Sequence, residues 1–261
     1  MLPFVTVLGR TLPMYGVMCV AGMAAALLYV VWRAPRFHLS RDDAAYLTMG
    51  IVLGAVAGAK LLYILTQVPA IVGDLGLLAA DSALFVRRYV SGGFVFYGGV
   101  AGGLAGGWIM CRVFGWRPAD FVPLLAPAVP LAHAFGRIGC FCVGCCHGKE
   151  APWGIAFTHA IAAPNGVPLI PVQLIEAGAE AVIFVILAVA TARGLAGWSP
   201  LALFLALYAP VRFLDEFWRG DMVRGVEAGL STSQWISLAA MAGVLAYALR
   251  ALARRRAHAG R

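Results

Sequence analysis

Charge is what this chain has least of. Only 12% of its 261 residues are charged, against about 25% in soluble domains, while 62% are hydrophobic. The mean hydropathy is +0.85. A charge deficit spread over the whole length excludes an ordinary water-soluble domain and points to an integral membrane protein. No cleavable leader is expected: Arg10 is the one early basic residue, and the first apolar run is long enough to span a bilayer rather than be removed. Acid is scarcer than base, 12 against 20, for a net charge of +8. Much of that excess lies in short loops and in the tail Arg254-Arg255-Arg256. This is the pattern of flanks facing anionic lipid, not of a nucleic-acid surface.

A span needs about 20 apolar residues. Seven runs qualify: Met14–Trp32, Ala44–Val68, Gly92–Cys111, Phe121–Ile138, Val172–Thr191, Leu201–Trp218 and Gln234–Leu252. The expected fold is therefore an all-α polytopic membrane protein of about seven transmembrane helices, one domain over residues 1–261. Between spans two and three, Pro69–Val90 is semi-apolar and reads as an interfacial amphipathic helix. Between spans four and five, the Gly- and Pro-rich stretch 139–171 reads as a folded, loop-rich cap. With the N-terminus outside and the C-terminus cytoplasmic, eleven Lys and Arg flank the inside and seven the outside, Arg261 counting inside and Arg224 outside. That balance favours this orientation and puts the cap on the outer face.

In span six, Tyr208, Arg212, Asp215, Glu216 and Arg219 stand at offsets 0, 4, 7, 8 and 11. At a helical period they share one arc of about 100°. A stripe carrying both signs of charge must face protein or water. Two readings stand: a structural ion-pair network, Arg212 with Glu216, or an anion site for a phospholipid headgroup with Arg212 as the bidentate phosphate contact. Pro210 lies inside the stripe and predicts a kink. Lys60 and Arg137 are further intramembrane cations, and Glu176, beside Gln173, is a candidate partner. Lys60 can equally snorkel to an interface. Glycines recur every four residues in span three, from Gly98-Gly99 to Gly106-Gly107, and at Gly50, Gly54 and Gly58 in span two. This is the pattern of close helix packing.

The densest chemistry lies in Gly136-Arg137-Ile138-Gly139-Cys140-Phe141-Cys142-Val143-Gly144-Cys145-Cys146-His147-Gly148, which holds four of the six cysteines. Three readings are open. Cys140, Cys142, Cys145, Cys146 and His147 are soft metal ligands, although adjacent cysteines do not match the usual paired knuckles. Cys140 can form a disulfide with Cys145 or Cys146 outside the cytoplasm. The thiols can also be small, polarizable packing in a tight turn. A catalytic thiol would need its pKa lowered, which Arg137 or His147 can supply.

Taken in order, these stretches resemble the bacterial prolipoprotein diacylglyceryl transferase family over most of the chain. Gly136, Arg137, Gly139, Phe141 and Gly148 match its signature. Tyr15-Gly16 resembles its N-terminal Tyr-Gly, Lys60 with Tyr63 its Arg-x-x-Tyr, and Gly92-Gly93 through Gly98-Gly99 its Gly-Gly-x-x-x-His-Gly-Gly. Pro152-Trp153-Gly154 and Pro171 through Glu176 resemble its loop and span-five entry. Tyr208, Arg212-Phe213, Glu216-Phe217, Arg219 and Asp221 match its span-six motif, and Gln234 and Ser237 its last one.

The resemblance implies transfer of the diacylglyceryl group of phosphatidylglycerol to the thiol of a lipobox cysteine in a preprotein, with glycerol phosphate leaving. It implies a multi-pass protein of the bacterial cytoplasmic membrane, an active site toward the outer face, and no metal or other cofactor. Arg137 and Arg212 would stabilise the departing phosphate. Glu216, Tyr97 and His147 complete the implied catalytic set. Tyr15, Lys60, Gly98, Gly99, Cys140, Cys145, Gly148, Gln173, Glu176, Tyr208 and Arg219 would line the substrate site. The chain departs from the pattern at Tyr97, where the family has His, and at Cys140, Val143 and Cys145, which replace Asn, Asn and Glu. Leu169-Ile170 replaces an Arg-His. A tyrosine near pKa 10 is a poor base at neutral pH, so His133 and His147 are candidates for a relocated base, with His147, in the cap, the stronger. Two other readings are a paralogue with another acceptor or lipid, and a non-transferase thiol or metal protein built on the cysteines.

Overall fold

A computed structural model describes residues 1–7, 9–194, 199–221 and 226–259. Arg224 and Arg261 of the charge balance lie outside the described residues. In chain order the elements are β1 (Phe4–Val7), β2 (Arg10–Pro13), α1 (Met14–Arg33), α2 (Arg41–Gly73), α3 (Leu75–Ala80), α4 (Ser82–Phe85), α5 (Phe96–Phe114), α6 (Pro118–Leu125), α7 (Ala128–Val143), β3 (Glu150–Ala156), β4 (Pro168–Leu169), α8 (Val172–Ala192), α9 (Pro200–Asp215), β5 (Val226–Glu227), β6 (Leu230–Ser231) and α10 (Thr232–Ala259). The protein is mostly helical, with strands only as three short antiparallel pairs among the described residues.

Among the described residues, four helices are long and apolar enough to cross a membrane: α1 with the turn after it, α2, α8 and α10. The count is five if the bent pair α6 and α7 forms one span. Two of the expected spans fall short for visible reasons. Six glycines dilute α5, and α9 has only 16 residues. Large apolar side chains stand exposed along these helices, Leu28 at 69%, Leu53 at 65% and Leu104 at 72%. Lipid, not water, is the solvent such a surface fits.

Three boundaries differ from expectation. The helix expected to stop at Val68 runs on through Pro69 to Gly73, and α3, α4 and a π-helical turn replace the single interfacial helix. The span expected over Phe121–Ile138 is broken before Ala128, where Pro127 caps α7. It then continues five residues past Ile138 to Val143. Gly139 therefore does not open the cap loop. It is a helical contact point: a Cβ there would lie 3.1 Å from Met18 Cβ and 3.3 Å from Tyr15 Cα. The true helix stop is Gly144 (φ 84°), whose N–H caps the carbonyl of Cys140 at 2.9 Å in the left-handed conformation glycine tolerates best.

The described chain divides into two compact units, Val30–Phe121 and the combination of Met1–Tyr29 with Val122–Arg261. In the first, α2 and α5 meet through their glycines. A Cβ on Gly102 would strike the carbonyl of Gly54, and one on Gly98 that of Gly58. Ser40 caps α2, its Oγ accepting from the N–H of Asp42 at 3.2 Å.

In the second unit, α7 packs on α8, α8 on α9, and α9 on α10. Ser231 and Gln234 form a reciprocal box at the start of α10. The Ser231 N–H donates to Gln234 Oε1 at 2.9 Å, and the Gln234 N–H to Ser231 Oγ at 3.2 Å, satisfying N–H groups that the first helical turn leaves open. Between α7 and α8, β3 and β4 pair as a hairpin with its own small core. Phe157 is fully buried with Ala163 and Leu169, and Phe141 packs edge-on against Phe157.

Candidate active site

Two helices of the second unit carry charge at matching four-residue intervals. His133 and Arg137 lie one turn apart on α7, and Glu176 and Glu180 one turn apart on α8. Residues four apart share a helix face, so the pairs meet as two rungs. Arg137 Nη2 lies 2.8 Å from Glu176 Oε1, and His133 Nδ1 lies 2.5 Å from Glu180 Oε1. Both glutamates are completely buried. Buried carboxylates persist where a cation or a strong donor meets them, and here each has its own.

From α9, Tyr208 adds a hydroxyl that donates to Glu176 Oε1 at 3.4 Å, and its ring meets that of His133 edge-on with centroids 5.7 Å apart. The remaining nitrogen of His133, Nε2, stands 3.9 Å from Glu176 Oε1. Arg212 pairs with Glu216 at 2.6 Å, approaches Asp215 at 3.7 Å, and donates to Ser233 Oγ of α10 at 3.0 Å. Asp215 contacts Glu176 in turn, so the carboxyls of Glu176 and Asp215 lie in the field of both Arg137 and Arg212. Nε of Arg137 and Nη1 of Arg212 are buried with no hydrogen-bond partner among the described residues. A buried guanidinium N–H left over in this way is a donor for an anion.

The five-residue stripe read from the sequence is only partly helical. α9 ends at Asp215, Glu216–Trp218 forms a 3-10 turn, and Arg219 is extended. Arg219 consequently leaves the stripe for a bidentate pair with Asp221, Nε to Oδ1 at 2.8 Å and Nη2 to Oδ2 at 2.5 Å. Burial is the largest single influence and lowers the pKa of its guanidinium, but Asp221 and the nearby Cys146 together raise it overall. The segment around it is joined to the turn after α7. The Lys149 N–H donates to Trp218 O at 2.8 Å, and the Gly220 N–H to His147 O at 3.0 Å. Gly148 lies so close to Ile170 that a Cβ would come 2.5 Å from its carbonyl oxygen.

The Sγ atoms of Cys140, Cys145 and Cys146 lie within 4.8 Å of one another, and all three thiols are free. At Cys145 the contact with Cys140 lowers the pKa, while Cys146 and burial raise it, and the thiol is pushed up to about 11. Cys146 moves the other way: contacts from Cys140, then Cys145, with Arg219 beside them, favour its thiolate. Gln173 fixes this turn, donating from Nε2 to Cys145 O at 2.7 Å. His147 turns Nδ1 to the carbonyl of Gly148 at 3.0 Å, while His133 is the histidine that meets Glu176, Glu180 and Tyr208. Tyr15 meets Cys19 and lies in the field of Cys140.

Lys60, Tyr97, Gly98 and Gly99 belong to the other unit. Lys60 donates to Gly92 O at 2.7 Å and sits over the rings of Tyr63 and Phe94, 5.2 and 5.0 Å from their centroids. Tyr97 is 57% exposed and packs on Phe96. Gly98 serves the contact with Gly58, and a Cβ on Gly99 would lie 3.5 Å from Ala55 O.

The model of the prolipoprotein diacylglyceryl transferase family matches residues 3–250. A phosphatidylglycerol–prolipoprotein diacylglyceryl transferase of Clostridium tetani is 31% identical over 226 residues, 86% of this chain and 87% of the relative. A protein with that name numbered 2, from Clostridium perfringens, is 30% identical over 249 residues, 94% of each chain. One from Solidesulfovibrio magneticus is 32% identical over 255 residues, 92% of this chain and 89% of its own.

Proposed function

Because the chain belongs to the prolipoprotein diacylglyceryl transferase family, we propose that the buried cluster of α7, α8 and α9 is where it transfers the diacylglyceryl group of phosphatidylglycerol to a prolipoprotein thiol. The protein is a transferase and a multi-pass membrane protein. The acceptor is the lipobox cysteine of the preprotein, and the membrane is the bacterial cytoplasmic membrane. The domain is 1–261, its seven spans run N-out to C-in, and the site opens toward the outer face beneath the cap. The unbroken family match over 3–250 supports a single domain.

One observation carries the assignment of the site: Arg137 and Arg212 act on the same two carboxyls while each keeps a buried N–H without a partner among the described residues. A phosphate diester offers the oxygens for those donors. In the reaction the acceptor sulfur forms a bond to a glyceryl carbon. The bond from that carbon to the phosphate oxygen breaks, and the electron pair leaves with glycerol phosphate, whose negative charge grows. Two guanidiniums in a site with little water stabilise that growing charge more than the starting diester, which is what lowers a barrier. Tyr208 and Glu216 orient the arginines, Gln173 and Gly148 shape the wall, and Tyr15 and Arg219 serve substrate binding.

The thiol proton goes to His133. Its Nδ1–H donates to Glu180, which leaves Nε2 as the acceptor. Once protonated, Nε2–H faces the carboxylate of Glu176. Relocating the base from position 97 to α7 makes the tyrosine there consistent with activity.

The test is complementation of a bacterium depleted of its own lipoprotein transferase, with lipidation of a lipobox reporter read directly. The wild-type chain should restore lipidation, and Arg137→Ala and Arg212→Ala should not. A chain that reaches the membrane at normal levels and leaves the reporter unlipidated refutes the lipobox acceptor.

A further inference from the structure

The cysteine triad is not explained by transfer chemistry, because none of its thiols is needed for the steps above. We propose that Cys140, Cys145 and Cys146 form a three-sulfur binding site for one thiophilic metal cation of the zinc or monovalent copper class. The sequence leaves metal binding open beside a disulfide and plain packing, its spacing lacking paired knuckles, and the family resemblance implies no metal. Folding supplies what the spacing does not.

Metal–sulfur bonds of about 2.3 Å in a three-coordinate plane put the sulfurs about 4 Å apart. The three Sγ atoms here are all within 4.8 Å of each other, so closing on an ion takes small rotations of side chains already converged. Three-way convergence is informative in itself. A disulfide uses two sulfurs and would strand the third, whereas a cation uses all of them.

The backbone is bent to achieve this. Cys146 has φ 58°, a left-handed conformation that a residue with a side chain rarely adopts. The bend turns a second, adjacent thiol back onto the end of α7. The frame around the turn is rigid: Gln173 holds Cys145 O, Gly144 caps the helix, and the segments after α7 and α9 are joined by the hydrogen bonds at Lys149 and Gly220. The triad also sits at a helix C-terminus, the end whose dipole favours a cation.

The Arg219 guanidinium stands beside Cys146, where an N–H donor would orient a ligating sulfur. Its own charge is balanced by Asp221. Cys145 and Cys146 are half-buried, not sealed, which leaves an entry path. Cys142, two residues from Cys140, lies on another face of α7 and is outside the triad. Soft thiolates select zinc and monovalent copper over hard cations.

The experiment uses the full-length chain, purified in detergent, reduced and stripped with a chelator. Cadmium, zinc and monovalent copper are titrated separately, with thiolate-to-metal ultraviolet absorption for cadmium and copper and a chromophoric competitor for zinc. One ion per chain should bind with loss of three reactive thiols. Cys140→Ser, Cys145→Ser and Cys146→Ser should each abolish stoichiometric uptake, and Cys142→Ser should retain it. A second measurement covers variants that fold poorly: in the wild type, bound metal should protect Cys145 and Cys146 from alkylation while Cys142 remains as reactive as before. No stoichiometric uptake by the wild type overturns the site, as does uptake unchanged in Cys146→Ser. A disulfide within the triad, with no uptake after its reduction, also overturns it. None of these readouts depends on transferase activity, so the site and the proposed reaction stand or fall separately.

Discussion

Nδ1 of His133 lies 2.5 Å from Oε1 of Glu180, joining a histidine and a fully buried carboxylate that are 47 residues apart in the chain. The contact fixes both the ring and its tautomer. It turns the opposite nitrogen toward Glu176 and Tyr208, where a proton acceptor is useful.

His133→Gln should therefore lower kcat by about a hundredfold or more, the usual yield of general-base catalysis, while KM for phosphatidylglycerol changes little. Glu180→Gln should cost less, since its amide oxygen can still accept from Nδ1–H and hold the ring in place. Steady-state transfer of labelled lipid is the measurement. A His133→Gln enzyme with unchanged kcat would remove His133 from the reaction.

The Arg137–Glu176 pair separates stability from activity. Arg137→Ala strands a buried carboxylate and should destabilise the protein by about 3–5 kcal/mol. Adding Glu176→Ala should recover much of that loss without recovering activity. Arg137→Lys keeps the charge but loses the planar fork, and should restore stability better than it restores turnover. Thermal unfolding in detergent beside activity gives the double-mutant cycle.

Gly102 lies against the carbonyl of Gly54 with no room for a side chain. Gly102→Ala should force α2 and α5 apart at a cost of about 1–3 kcal/mol. Gly243→Ala is the control: nothing lies within 4 Å of a Cβ there, and the change should be neutral or stabilise by about 0.5–1 kcal/mol. Equal melting shifts for the two would discount the close approach.

Gln234→Ala removes one arm of the box that starts α10 and the 3.5 Å contact from Gln234 Nε2 to Phe213 O on α9. A loss of about 1 kcal/mol is expected. Gln234→Glu retains the acceptor and should lose less. Chemical denaturation resolves the order.

Much of this site could be read along one helix at a time. Tyr208, Arg212, Asp215 and Glu216 declared a polar face because their spacing is helical, and Arg137 stood out as a cation in an apolar span. Arg219 fitted the same period and was misplaced by it, because the helix stops at Asp215 and period alone does not mark that stop. His133 is harder to read: its signal is a four-residue offset from Arg137, matched by Glu180 four residues after Glu176, and the match is visible only when two helices are compared. The end of α7 was misjudged because Gly139 has the residue type of a breaker and the job of a contact. The triad depends on the left-handed turn at Cys146, which residue type does not announce.

The two rungs between α7 and α8 also act as a key with one fitting position. The helices run antiparallel, so a slide of one turn, about 5.4 Å, would set Arg137 against Glu180. It would then leave Glu176 facing Phe141 and His133 facing Phe184. In a bundle bathed by lipid, where apolar faces match in almost any register, these four side chains are what tells one alignment from the next.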